Sequence, residues 1–358
     1  MKRIPQLDAV RGIAVLLVLV HNTYIYPQLH LGWIADNGWM GVDLFFVLSG
    51  FLITGILLDT KESHSYFSSF YIRRSLRIWP LYYASLLFMF LIVPMVRPVE
   101  AHAIFDPRSS PWWAYPLFLQ NYLVPVPTQA RGLLGVTWSL AVEEHFYLVW
   151  PLVVRFCNPS QLRRIAIVII VASPLLRLFL LQYGVQIYSN PVCRLDGLMA
   201  GALLALVIRS GDFASSKFVL PAWIVLFVSL PLALLLDNFH ARWIVFSLVA
   251  LGALSFVYLA LFSNQPQFQA VLRNRFLVYT GVISYGIYML EKIPIDLVKT
   301  TRLGVTSPWA YPLTIAATYL IAVLSWNLLE TPFLRLKDLF RNSSRRSIGE
   351  RGETVKLS

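Results

Sequence analysis

"GVDLFFVLSGFLITGILL", residues 41–58, carries one charged residue, Asp43, in eighteen positions. A helix rises about 1.5 Å per residue, so roughly 20 apolar residues cross about 30 Å of hydrocarbon. The stretch therefore reads as a transmembrane helix. Its apolar run is continuous, whereas a strand of a membrane barrel alternates apolar and polar positions. Similar runs recur along the 358 residues, and the composition agrees, with 57% hydrophobic and only 13% charged residues. A soluble domain carries about 25% charged residues. The fold class expected is all-α: a polytopic membrane bundle of about ten transmembrane helices, at 9–27, 40–58, 78–96, 137–155, 165–183, 194–209, 219–236, 243–262, 276–296 and 310–329.

The start, "MKRIPQLDAVRGIAVLLVLVH" (1–21), is basic but shows no small-residue cleavage pattern, so the first helix reads as an uncleaved anchor. The aromatic segment "PWWAYPLFLQNYL" (111–123) is too short and polar to span, and is expected to lie at the interface or re-enter.

A net charge of +12 on a soluble protein would suggest nucleic acid. Here the charges fall between apolar runs, which points instead to membrane topology and anionic lipid. With both termini cytoplasmic, inner segments hold 20 Lys and Arg against 6 outside, as the positive-inside rule requires. The connection 97–136, rich in proline and aromatic residues, is then external and a candidate lid or acceptor site. Residues 1–335 read as one membrane domain, and 336–358 as a basic, disordered cytoplasmic tail lying on lipid, with no soluble domain following the last span. Cys157 and Cys193 fall near opposite faces, so no disulfide is expected between them.

Ionisable residues inside such spans are costly and usually face a cavity or a partner. Arg11 sits at the inner edge of the first span, where it either snorkels to the interface or faces a conduit; His21 follows ten residues later. Ten residues put the two about 15 Å apart along the axis and roughly 80° apart around it. Ser49 and Gly50 make a small-residue patch suited to close helix packing. In "FYIRRSLRIWPLYY" (70–83), Arg73, Arg74 and Arg77 fall ahead of the third span. Arg74 and Arg77 share a helical face, and guanidinium forks suit phosphate, although positive-inside charge alone also accounts for them. "TWSLAVEEHFYLVWPL" (137–152) places Glu143, Glu144 and His145 within an apolar span, where topology does not explain them. Arg194 and Asp196 are expected to pair, Glu291 and Lys292 lie in the ninth span, and Glu330 ends the tenth. The groups sort into an inner layer (Arg11, Arg73, Arg74, Arg77, Glu330) and an outer one (His21, Asp43, Glu143, Glu144, Arg194, Asp196, Glu291).

From "LDAVRGIAVLLVLVH" to "LLETPF" the chain resembles the acyltransferase 3 family of integral membrane acyltransferases. "GVDLFFVLSGFLI", "FYIRRSLRIWPLYY" and "WSLAVEEHFYLVWPL" carry the resemblance in combination and order, supported by "RLDGLMAG" and "ISYGIYML". The resemblance implies transfer of an acyl group, commonly acetyl, from cytosolic acyl-coenzyme A (acetyl-CoA) to a hydroxyl of a carbohydrate or glycoconjugate outside a bacterial cytoplasmic membrane. His21 then matches the essential histidine, Arg11 its paired arginine, Arg74 and Arg77 the arginine pair, and Glu143 the acidic residue. A histidine is frequent in the family where Glu291 stands here.

On this reading the nucleotide phosphates dock at Arg73, Arg74 and Arg77. The pantetheine arm threads inward, and His21 acts as general base or carries the acyl group. Glu143 orients the imidazole, and Asp43 belongs to the same acid–base layer. No metal is required, since no ligand spacing such as H-E-x-x-H occurs, and no nucleic acid is expected. Expected partners are the acceptor, membrane lipid and an extracytoplasmic protein that could receive the acyl group. The rival reading is a transporter or flippase of a lipid-linked sugar or small solute, which buried carboxylates and a histidine also suit.

Overall fold

The structure is a computed structural model that describes residues 4–23, 32–96, 111–124, 132–211, 216–238, 241–300, 307 and 309–336. Residues 24–27 of the first expected span, most of the 97–136 connection and the tail from 337 onward lie outside the described residues.

Among the described residues every regular element is helical. Helix α1 (Pro5–Asn22) begins on a proline, which suits a first turn that needs no donor. The short α2 (Gly32–Asn37) leads into α3 (Met40–Asp59), followed by α4 (Tyr66–Leu87), which a π turn at Phe88–Ile92 prolongs to Val96. Next come α5 (Thr137–Phe156) and α6 (Pro159–Gln182). A capping box starts α6: Asn158 Oδ1 accepts from the Gln161 N–H and Gln161 Oε1 from the Asn158 N–H, both at 2.9 Å. The remaining helices are α7 (Leu195–Arg209), α8 (Val219–Asn238), α9 (Arg242–Phe262), α10 (Pro266–Leu272), α11 (Arg275–Val282), α12 (Ser284–Leu290), α13 (Lys292–Thr300) and α14 (Ala310–Ser325). A second π turn, Trp326–Glu330, extends α14.

Seven of these helices, at Met40–Asp59, Tyr66–Met95, Pro159–Gln182, Pro191–Arg209, Val219–Asn238, Arg242–Phe262 and Ala310–Leu336, are long and apolar enough to cross a membrane. The protein is a multi-pass integral membrane protein. Helices α3, α7 and α9 are mostly buried and form the centre. Helices α6, α8 and α14 leave most of their apolar side chains uncovered, as lipid-facing helices do. Helices α1 and α5, with 18 and 20 residues, are long enough to cross but carry charges inside.

The stretch 276–296, expected as one helix, is broken twice. At Ile283 the Ser284 hydroxyl turns back to the Gly281 carbonyl at 2.9 Å, competing with the backbone ladder. At Glu291 the break precedes Pro294, which cannot donate to the residue four positions earlier. The segment 111–123 does not span. It forms two short turns, Trp112–Ala114 and Gln120–Leu123, against α4 and α5, with Tyr82 and Tyr83 hydroxyls donating to the Tyr115 and Pro116 carbonyls at 2.6 and 3.0 Å.

Helices α3 and α7 meet backbone to backbone. A Cβ on Gly50 would lie 1.9 Å from the Leu198 carbonyl oxygen, and one on Gly201 at 1.9 Å from that of Val47. Only glycine permits this approach, the usual device of membrane helix pairs. The small-residue patch at Ser49 and Gly50 is thus divided: Gly50 packs, while Ser49 faces a cavity.

The expected Arg194–Asp196 pair does not form. Arg194 pairs with Asp43 at 2.8 Å, and Asp196 pairs with Arg177 of α6 at 2.8 Å. Residues two apart on a helical path point to opposite sides, so each finds its partner on another helix. Four aromatic rings, those of Phe46, Trp138, Tyr188 and Phe246, surround the Arg194 guanidinium at 4.0–5.6 Å. Cys157 and Cys193 are both free thiols.

Candidate active site

Helices α1, α3, α4, α5 and α12 enclose a cavity whose polar lining gathers Arg11, Arg74, Arg77, Glu143, Tyr147 and Ser49 at one end. Ser139, Tyr285 and Tyr288 line it as well. Arg11 comes from α1, where Asp8, one turn earlier, holds its guanidinium at 2.9 Å. Arg74 and Arg77 come from one face of α4, as their spacing predicts. Arg73, on the neighbouring face, is exposed and does not line the cavity.

The arginines sit deeper in their helix than expected. Helix α4 starts at Tyr66, so Arg74 lies eight residues, or about 12 Å, from its first turn. The reason is packing against α5, which runs antiparallel. The Tyr66 hydroxyl donates to the Pro151 carbonyl at 2.9 Å and that of Tyr71 to the Leu148 carbonyl at 3.0 Å. This register brings Arg74 over the Tyr147 ring, 5.3 Å from its centroid. The Tyr147 hydroxyl donates to Glu143 Oε2 at 2.5 Å and accepts from the Ser49 hydroxyl. Glu143, expected in the outer layer beside His21, therefore belongs to the arginine end.

His21 stands apart from this cavity lining. It is half-buried near the end of α1, and its Nδ1 lies 2.7 Å from the Ala35 carbonyl oxygen of α2. A carbonyl oxygen only accepts, so Nδ1 carries a hydrogen, and in the neutral ring Nε2 is the atom left with a lone pair. Gly38 makes the contact feasible: a Cβ there would meet the Leu17 carbonyl oxygen at 2.1 Å and His21 Cβ at 2.9 Å.

The other expected residues are dispersed. Asp43 is buried in its pair with Arg194 and does not line the cavity. On another face of α5, Glu144 Oε2 accepts from the Trp79 indole at 3.5 Å, and the His145 ring packs on Tyr122 at 5.5 Å. Glu330 is buried on the second π turn, accepting from the Ser325 hydroxyl at 3.1 Å. Glu291 accepts from the Asn22 carboxamide at 2.5 Å. Among the described residues no group of three His, Cys, Asp or Glu is placed to hold a metal.

Sequence reasoning passed over Tyr147, Ser139, Tyr285 and Tyr288. Tyr147 was within reach, four residues after Glu143 and so on its helical face. So was Ser139, four residues before Glu143, whereas Tyr285 and Tyr288 become lining only through the packing of α12.

The acyltransferase domain family model matches residues 4–327, nearly the whole chain. The chain belongs to the acyltransferase 3 family. Among curated proteins it is similar to peptidoglycan O-acetyltransferase OatA of Listeria monocytogenes, at 30% identity over 92% of this chain and 56% of the relative. It is 28% identical to a putative peptidoglycan O-acetyltransferase, YrhL, of Bacillus subtilis, over 96% of this chain and 56% of the relative. A putative O-acetyltransferase of Staphylococcus aureus strain COL is also 28% identical, over 93% and 58%. The chain thus spans between half and two thirds of the length of these relatives. No solved structure matches it.

Proposed function

We propose that this acyltransferase 3 chain moves an acetyl group from cytosolic acetyl-coenzyme A to a hydroxyl of a peptidoglycan-like carbohydrate at the outer face of a bacterial cytoplasmic membrane. The observation that carries the reading is the joint lining of one intramembrane cavity by Arg11, Arg74 and Arg77 beside the Glu143–Tyr147–Ser49 chain. Three guanidinium groups gathered at one cavity, Arg11 and Arg74 half-buried and Arg77 exposed, suit a polyphosphate ligand. The relatives' names supply the carbohydrate class.

The topology proposed is ten crossings with both termini cytoplasmic: the seven apolar helices, α1, α5 and the broken α11–α13 stretch. The 20-to-6 charge bias supports it. Residues 1–335 form the catalytic membrane domain, with 336–358 as its tail. Arg11, Arg74 and Arg77 take the diphosphate, with Arg73 at the mouth. Glu143 holds Tyr147, and through it Arg74, against the donor. The flexible pantetheine arm extends the thioester along α1 towards His21, about 15 Å from Arg11. Nε2 of His21 takes the acceptor hydroxyl proton; the oxygen forms the new ester bond as the carbon–sulfur bond breaks; the imidazolium returns the proton to the leaving thiolate. Asp43, locked on Arg194, steadies α3, which also carries Ser49. A separate extracytoplasmic protein is the alternative recipient of the acetyl group.

The test uses the full chain in lipid nanodiscs with acetyl-coenzyme A and an N-acetylated sugar oligomer. Acceptor-dependent release of free thiol is expected, and its loss in His21→Ala while the protein still inserts. Thiol release unaffected by His21→Ala removes the residue from the mechanism. Solute movement without thiol release favours a transporter.

A further inference from the structure

One helical turn beyond the cavity-lining Tyr288 lies a polar cluster that the reading above leaves unused. Glu291 stands between α12 and α13 with its side chain fully buried. Its Oε1 accepts from Asn22 Nδ2 at 2.5 Å, and Asn22 Oδ1 accepts from Lys292 Nζ at 2.8 Å. Among the described residues Glu291 Oε2 is buried and has no hydrogen-bond partner. Asn22 directly follows His21 on α1, so the cluster flanks the candidate base. Between it and the arginine end, the hydroxyls of Tyr288 and Ser139 are hydrogen-bonded at 2.5 Å.

A buried carboxylate oxygen without a donor is an unmet demand, because such groups in folded proteins are normally hydrogen-bonded. The missing group is an O–H or N–H donor. An anionic donor nucleotide fits poorly here, since the carboxylate repels it and the arginines line the cavity, of which this cluster is no part. A neutral, hydroxyl-rich molecule fits well: its O–H donates to Oε2, at the end of α1 that also carries His21.

We propose that Glu291, Asn22 and Lys292 form the subsite that holds the saccharide acceptor by its hydroxyl groups. The proposal rests on the acyl-transfer reading for its purpose but not for its test. Glu291 is a binding residue that accepts from the sugar; Asn22 and Lys292 fix the carboxylate in place.

The experiment measures binding of a soluble N-acetylglucosamine oligomer by calorimetry, with the full chain in nanodiscs and no donor present. Glu291→Gln keeps Oε1 for the Asn22 bond and turns only the free oxygen into an amide donor. Wild-type protein is expected to bind, and Glu291→Gln to bind about tenfold more weakly. Lys292→Met, which frees Asn22, weakens binding as well and carries the test if Glu291→Gln fails to fold. Unchanged affinity in the folded variants, or no binding by wild type, overturns the subsite. If wild type binds the oligomer but never releases thiol from acetyl-coenzyme A, the acyl-transfer reading fails and the subsite stands.

Discussion

Gly38→Ala adds one methyl group 2.9 Å from His21 Cβ, and is expected to cripple turnover while sparing donor binding. The new Cβ would stand 2.1 Å from the Leu17 carbonyl oxygen, where ordinary contact begins near 3.4 Å. That oxygen belongs to the α1 backbone and cannot swing aside, so the corner between α2 and α3 must retreat by about 1 Å. Ala35 sits three residues earlier on the same corner. Its 2.7 Å contact with His21 Nδ1 would open beyond hydrogen-bond reach. Overpacking of this kind costs about 1–3 kcal/mol of stability. The larger effect is catalytic. The imidazole loses the acceptor that fixes its tautomer and direction, and a misplacement of about 1 Å at a reacting group lowers the rate by about 100-fold. The arginine end of the cavity draws Arg74, Arg77, Glu143 and Tyr147 from α4 and α5, and its Arg11 and Ser49 stand turns away from this corner on α1 and α3, so the donor KM stays within about twofold. Initial rates of thiol release, donor titration and size-exclusion of the detergent-solubilised protein report these three effects. Turnover near wild type refutes the orienting role of Ala35. Donor affinity falling in parallel with kcat would show that the corner supports the whole bundle and not His21 in particular.

The remaining predictions address the other contacts. Arg74→Ala raises the donor KM by about tenfold or more, through the loss of a charge-assisted phosphate contact, with acceptor KM unchanged. Tyr147→Phe breaks the Ser49–Tyr147–Glu143 chain while keeping the ring beneath Arg74, and lowers kcat without loss of folded protein; equal kcat would show the hydroxyl to be idle. Arg177→Ala leaves Asp196 buried without its cation and destabilises the bundle by about 3–5 kcal/mol, read as a lower melting temperature in detergent. The double change Arg177→Met with Asp196→Leu recovers most of that loss, because a well-packed apolar pair replaces a buried ion pair at little cost. Gly201→Leu drives α3 and α7 apart and abolishes folded protein, whereas Gly211→Asn, at a left-handed turn with open space around it, is tolerated.

The membrane architecture was legible because it depends on composition over long windows. Apolar runs such as 41–58 and 243–262 appear as helices nearly where they were expected, since nothing but a helix satisfies a backbone in lipid. Partner choice was not legible. Nothing in the sequence around Arg177 names its partners, and only three-dimensional packing sets it between Asp196, the Ser247 hydroxyl and the carbonyls of Cys193 and Trp243.

Depth was the other illegible quantity, and it matters most for the chemistry. Counting residues from the expected edge of a span at 78 placed Arg74 and Arg77 at the membrane surface, in a layer separate from Glu143. Helix α4 begins twelve residues earlier, because Tyr66 and Tyr71 anchor its first turns to carbonyls of α5. A shift of twelve residues is about 18 Å of helix. The added turns pack on α5 and set Arg74 beside Tyr147 and Glu143. A surface cluster of arginines would need no explanation beyond topology. Arginines that line a cavity beside a carboxylate suit a ligand of opposite charge, which the proposed phosphorylated donor would supply.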